Sequence, residues 1–182
     1  MRALVVLVVA MVGCGGAGSV VIDPEMPDDV AVLATAVVAS VREALPARTA
    51  CLEGLRVESD PDLTDRARYL PAATTVVLRV PATAPRLTAS LVHEVGHHLD
   101  AACADDALRG AFAAAQGLDP DADWDAIVGS GEEPRELFAA AVVQVVTGDA
   151  DLPRHGGVTE AAVDVVARWG SGEDPGHGST PP

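Results

Sequence analysis

Two histidines four positions apart, in the run His93-Glu94-Val95-Gly96-His97, lie inside a stretch that carries Leu91, Val92, Val95 and Leu99 around them. Pro85 suits a first helical turn and Thr83 or Thr88 a cap, so the stretch is expected to be helical. On a helix, residues four apart stand one above the other on the same face, and both imidazoles can present a ring nitrogen to one point. Polar groups on a mostly buried helix are costly without partners, and a shared metal ion satisfies both rings at once. Glu94 leans to the side of that face, where a carboxylate can hydrogen-bond a metal-activated water without being a ligand, as a general base does. Two surface histidines beside a solvated glutamate are the plainer reading of the same five residues.

A metal site needs at least a third ligand. Continuing the same helix would put it at Cys103, but that arrangement needs a glycine where Asp100 stands, and no methionine follows the motif. Asp100 is better suited to accept the second ring N–H of a ligand histidine and fix its tautomer, or else it is a solvated helix acid. A second helix start is written in Gly131-Glu132-Glu133-Pro134-Arg135-Glu136, followed by a nearly continuous apolar run from Leu137 to Val146. Acids in a first turn complement the helix dipole, which accounts for Glu132 and Glu133. Glu136 sits deeper and is the expected third ligand, with Glu133 one turn earlier as the fallback.

These residues resemble a known family. His93-Glu94-Val95-Gly96-His97, the following Leu99-Asp100, and Glu136-Leu137-Phe138-Ala139 are similar to the gluzincin metallopeptidases, most of all the catalytic-domain family of anthrax lethal factor, over about half the chain. The resemblance implies a zincin-like domain, zinc held by His93, His97 and Glu136, and Glu94 as general base. That family carries a tyrosine shortly before its ligand glutamate, where this chain has Val128-Gly129-Ser130-Gly131. An oxyanion donor would then come from elsewhere, with Tyr69, Arg135, Arg154 and His155 as the candidates.

Residues 1–13 read as a signal peptide, with one arginine before an apolar run too short to span a bilayer. Val12-Gly13-Cys14 resembles a bacterial lipobox, so Cys14 is the expected lipidation site and residues 14–28 a flexible linker. A plain secretory signal is the alternative. With Cys14 acylated, Cys51 and Cys103 remain, and outside the cytoplasm they are expected to form a disulfide. The formal net charge is −15 and every basic residue is arginine, which argues against nucleic acid and against electrostatic binding to anionic lipid.

One α+β domain is expected over residues 29–169, a small sheet followed by the active-site helix and a mainly helical C-terminal half, with residues 170–182 a disordered tail. Helices are predicted over 29–44, 105–116 and 159–169, and strands over 55–58 and 74–80, the latter a candidate edge for an extended substrate. The alternating acids Asp119, Asp121, Asp123 and Asp125 do not fit a calcium loop and read as a solvated turn. The sequence therefore predicts a Zn2+-dependent endopeptidase of the cell envelope, anchored to the membrane by lipid, with a peptide or protein substrate. The alternative is a surface lipoprotein whose zinc is structural or catalytically idle and whose domain binds a partner. Closing such a structural site would require His98 or Cys103 to turn inward.

Overall fold

The structure, a computed structural model, describes residues 19–119, 122–125, 133–148 and 157–175. The chain is α+β, with a small mixed four-stranded sheet and mostly helical content. Strand β1 (Val21–Ile22) leads through helix α1 (Asp28–Ala44) to β2 (Arg56–Ser59), and β1 and β2 pair in parallel. Strand β3 (Ala67–Leu70) and β4 (Thr75–Leu78) form an antiparallel pair, and β4 inserts beside β2 in parallel to give the order β1-β2-β4-β3. Val57, Val76 and Leu78 are fully buried, because the faces of these central strands lie under the helices.

Two expectations about this region are corrected. The stretch 74–80 is not a substrate edge: its strand, β4, is hydrogen-bonded to β2 on one side and β3 on the other. The edge strands are β1 and β3, and the sequence did not announce β3 because its four residues, Ala67-Arg68-Tyr69-Leu70, include an arginine and bury only one side. The linker reading of residues 14–28 also ends early. Val21 and Ile22 pair with Arg56 and Val57, and Met26 is buried in the core.

Helix α2 (Ala84–Cys103) follows β4 and carries the paired histidines, with Thr83 at its N-cap position and proline in its first turn. Helices α3 (Asp106–Gln116), α4 (Pro134–Thr147) and α5 (Glu160–Ser171) complete the layer over it. Asp105 caps α3 by accepting from the Leu108 amide, and Thr159 caps α5 by accepting from Ala162. Residues 170 and 171 belong to α5, and Gly170 is buried against Leu45, so the ordered part of the chain runs beyond the expected end at 169.

Four of the chain's five aromatic residues gather in one cluster. Phe138 of α4 meets Phe112, Trp124 and Trp169 edge-on at centroid distances of 5.5, 6.1 and 5.9 Å. Edge-to-face contacts of this kind add to the burial of each ring and fix the rotation of α4 about its axis. Since Glu136 lies two residues before Phe138, the cluster also fixes where that carboxylate points.

The disulfide expected between Cys51 and Cys103 is present, with Cα atoms 6.0 Å apart and the two cysteines 52 positions apart in sequence. It ties a 3-10 segment (Pro46–Leu52) to the last turn of α2. Closing a loop of that length restricts the unfolded chain by about 4 kcal/mol on chain-entropy grounds.

Candidate metal centre

His93 and His97 stand on one face of α2 with their ring planes at 88° and centroids 4.8 Å apart, as residues one turn apart should. Glu136, in the first turn of α4, reaches between them. Its Oε2 lies 3.1 Å from His93 Nε2 and its Oε1 3.3 Å from His97 Nε2. One donor atom from each of the three residues falls within 4.8 Å of the others, so the group can hold a metal ion. All three side chains keep partial access to solvent, from 11% at His97 to 33% at Glu136. The hydrogen bonds from His93 and then His97 hold the Glu136 carboxyl well below the usual carboxylate range, against the opposing effect of burial. An ionised carboxylate wedged between two imidazole nitrogens is the donor set that suits zinc.

The two helices can come this close because of Gly96. A Cβ built there would lie 2.8 Å from the Ala139 Cα and 3.1 Å from its Cβ, so the backbones of α2 and α4 come close together one turn beyond Glu136. This requirement falls inside the five-residue motif, at a position no ligand rule singles out. Glu133, the fallback ligand, is buried at the N-cap position of α4 and is not part of the donor group.

Asp100 does not do what its spacing suggested. Its buried carboxylate accepts from Arg109 Nε at 3.2 Å and Nη2 at 3.1 Å and from Trp124 Nε1 at 3.1 Å, with Arg135 Nη2 at 3.9 Å. His97 Nδ1 is buried with no hydrogen-bond partner among the described residues. Asp100 is instead the hub of a buried charged cluster. Through Arg109 it braces α3 against α2, and through Arg135 it reaches the residue next to Glu136. A carboxylate so deep is sustained only because two guanidiniums and an indole N–H answer it.

Glu94 points to the sheet edge. Its Oε2 accepts the Tyr69 main-chain N–H at 2.8 Å, and it is not a member of the donor group. His98, on the same side of α2 as Glu94, is turned away from the donor group. Its Nε2 bonds the Cys51 carbonyl oxygen at 2.8 Å and its Nδ1 meets the Tyr69 hydroxyl at 3.0 Å. A carbonyl can only accept, so Nε2 carries the ring proton. Burial lowers the His98 pKa, partly offset by the Cys51 carbonyl, and the neutral ring then accepts the Tyr69 O–H at Nδ1. Burial likewise raises the Tyr69 phenol, with Arg135 acting in the opposite direction.

Neither residue named for closing the site as a fourth ligand is free to do so, since His98 is committed to Cys51 and Tyr69 and Cys103 to its disulfide. Of the oxyanion candidates, Tyr69 spends its hydroxyl on His98, and Arg135 faces Asp100 and Asp125. Arg154 and His155 lie outside the described residues, as do residues 1–18 with Cys14. Comparison with protein families, with curated proteins and with solved structures finds no match to this chain.

Proposed function

We propose that this protein is a zinc-dependent endopeptidase of zincin-like, gluzincin type that works outside the cytoplasm. The observation that carries the reading is the convergence of His93, His97 and Glu136 within 4.8 Å, with Glu94 next to His93 in sequence and outside the group. A closed structural site would need a fourth protein ligand, and the commitments of His98 and Cys103 argue against one from either of the nearby candidates. The open edge of the sheet supports a peptide substrate. In the β3–β4 register, Arg68 and Leu70 face Val77 and Thr75, and the Tyr69 N–H is directed away from β4 toward Glu94. Main-chain groups at such an edge can pair with an extended chain laid beside Glu94.

His93, His97 and Glu136 would hold the ion. When bound, zinc supplies Lewis acidity, making water acidic near neutral pH and polarising a carbonyl oxygen. Glu94 is the proton carrier: it takes a proton from the attacking water as the C–O bond forms, and returns it to the amide nitrogen as the C–N bond breaks. Strand β3 orients the scissile segment.

The disulfide supports an oxidising compartment, and the resemblance of Val12-Gly13-Cys14 to a lipobox supports attachment of the protein to a membrane by lipid. Among the described residues no helix is long and apolar enough to cross a membrane. Replacing Cys14 by serine is expected to move the protein from the membrane fraction to the medium.

The deciding experiment compares wild type with Glu94→Ala for zinc content and for cleavage of an unbiased peptide library. About one zinc per chain in both is expected, with cleavage lowered at least ~100-fold in the variant. Zinc in both with cleavage in neither would sink the peptidase reading in favour of a zinc-bearing binding module. Zinc in neither would remove the metal site.

A further inference from the structure

A line of polar contacts, passing through the body of Tyr69, runs from Cys51 to Glu94, and no ligand role requires it. Cys51 offers its carbonyl oxygen to His98 Nε2 at 2.8 Å, His98 Nδ1 meets the Tyr69 hydroxyl at 3.0 Å, and the Tyr69 main-chain N–H donates to Glu94 Oε2 at 2.8 Å. His98 is 3% exposed, and the Tyr69 ring packs edge-on against it with centroids 5.4 Å apart. The line starts and finishes on α2: Cys103 binds Cys51 covalently, and His98 and Glu94 lie one turn apart on that helix.

Strand β3 has only four residues and is hydrogen-bonded in the sheet along one side. Arg68 and Leu70 are exposed, and the strand is fastened to α2 by Tyr69. An edge amide presented by so short a strand would be poorly fixed if its own side chain were loose. The Tyr69 hydroxyl ends in a buried imidazole that is itself held at its other nitrogen, which leaves the ring one orientation.

We propose that Tyr69 and His98 are positioning residues for Glu94. The Cys51–His98–Tyr69 line sets the β3 edge so that the Tyr69 amide holds the Glu94 carboxylate beside the His93–His97–Glu136 group and out of it. The consequence is that Glu94 stays a proton carrier and does not become a further ligand. The kinetic part of this inference rests on the peptidase reading; the hydrogen-bond line does not.

The test uses the full chain with Tyr69→Phe, His98→Leu and His98→Gln, the last keeping a donor and an acceptor. Three quantities are measured: amide hydrogen exchange at position 69 by NMR, zinc content, and kcat and KM on the best peptide from the library. In wild type the position 69 amide exchanges slowly for an outward edge amide. Tyr69→Phe and His98→Leu are expected to speed it by roughly tenfold or more, to lower kcat roughly tenfold, and to leave zinc content unchanged. His98→Gln should recover part of both losses. Exchange at position 69 unchanged in Tyr69→Phe and His98→Leu would overturn the proposal, as would a fall in kcat that merely tracks lost zinc. If wild type cleaves nothing, the peptidase reading fails by itself, and the exchange rates still decide whether the line holds the edge amide.

Discussion

At the scale of single residues, the site is an arrangement of charges whose effect on stability has a defined sign. Glu136 is held below its ordinary pKa of 4.5 by His93 and His97, so in zinc-free protein the folded state favours its ionised form. A depressed carboxylate contributes stability that is fully present above the unfolded value and is lost as pH falls through the folded one. The zinc-free protein is therefore expected to lose stability progressively below about pH 4.5, and Glu136→Gln should flatten that decline. Urea unfolding midpoints between neutral and acidic pH check both; parallel curves for wild type and variant would contradict the coupling. The two candidate histidine ligands were legible in the sequence because helical spacing alone places His93 and His97 on one face. The role of Asp100 was not, because which donors surround a buried carboxylate depends on Arg109 and Trp124, which approach from outside the α2 segment.

At the scale of elements, the centre exists only where α2 and α4 meet, and Gly96 sets how closely. Alanine is favoured over glycine inside a helix by about 1 kcal/mol. Here its Cβ would press on the Ala139 backbone at 2.8 Å, and overpacking of that kind costs about 1–3 kcal/mol. The steric cost wins, so Gly96→Ala is expected to destabilise the fold by roughly 1 kcal/mol. By moving Glu136 away from the histidines it should also weaken zinc binding about tenfold, for a loss near 1.4 kcal/mol. Thermal unfolding and a competitive zinc titration measure the two effects; unchanged affinity would mean that the helix contact does not set the ligand geometry. The helices were largely readable, since the apolar patterns of α1, α3 and α5 and the proline at the start of α4 mark them. Strand β3 was not, because an edge strand of four residues with exposed Arg68 and Leu70 carries little apolar pattern, and its identity depends on β4 lying beside it.

At the scale of the whole molecule, candidate ligands drawn from α2 and α4 would make zinc binding a property of the folded chain. A ligand that binds only the folded state stabilises it by about 2.7 kcal/mol at a hundredfold excess over its dissociation constant. For a domain of this size that corresponds to a rise of roughly 5–10 °C in Tm, reversed by a chelator. Differential scanning calorimetry with and without zinc tests this, and no shift would mean that the three residues do not form a site together. The sequence by itself determined the features that depend on neighbours along the chain: the helices, the facing pair His93 and His97, the candidate glutamate in the first turn of the next long helix, and the two cysteines left to pair. Only the tertiary structure decided that Glu136 reaches both imidazoles, that Asp100 serves the arginines, that His98 and Tyr69 join the disulfide to Glu94, and that β3 rather than β4 is the edge strand beside Glu94. The physical reason is common to all four. Helical and strand periodicity are local constraints of backbone geometry, whereas partners far apart in sequence are chosen by the packing of the whole chain.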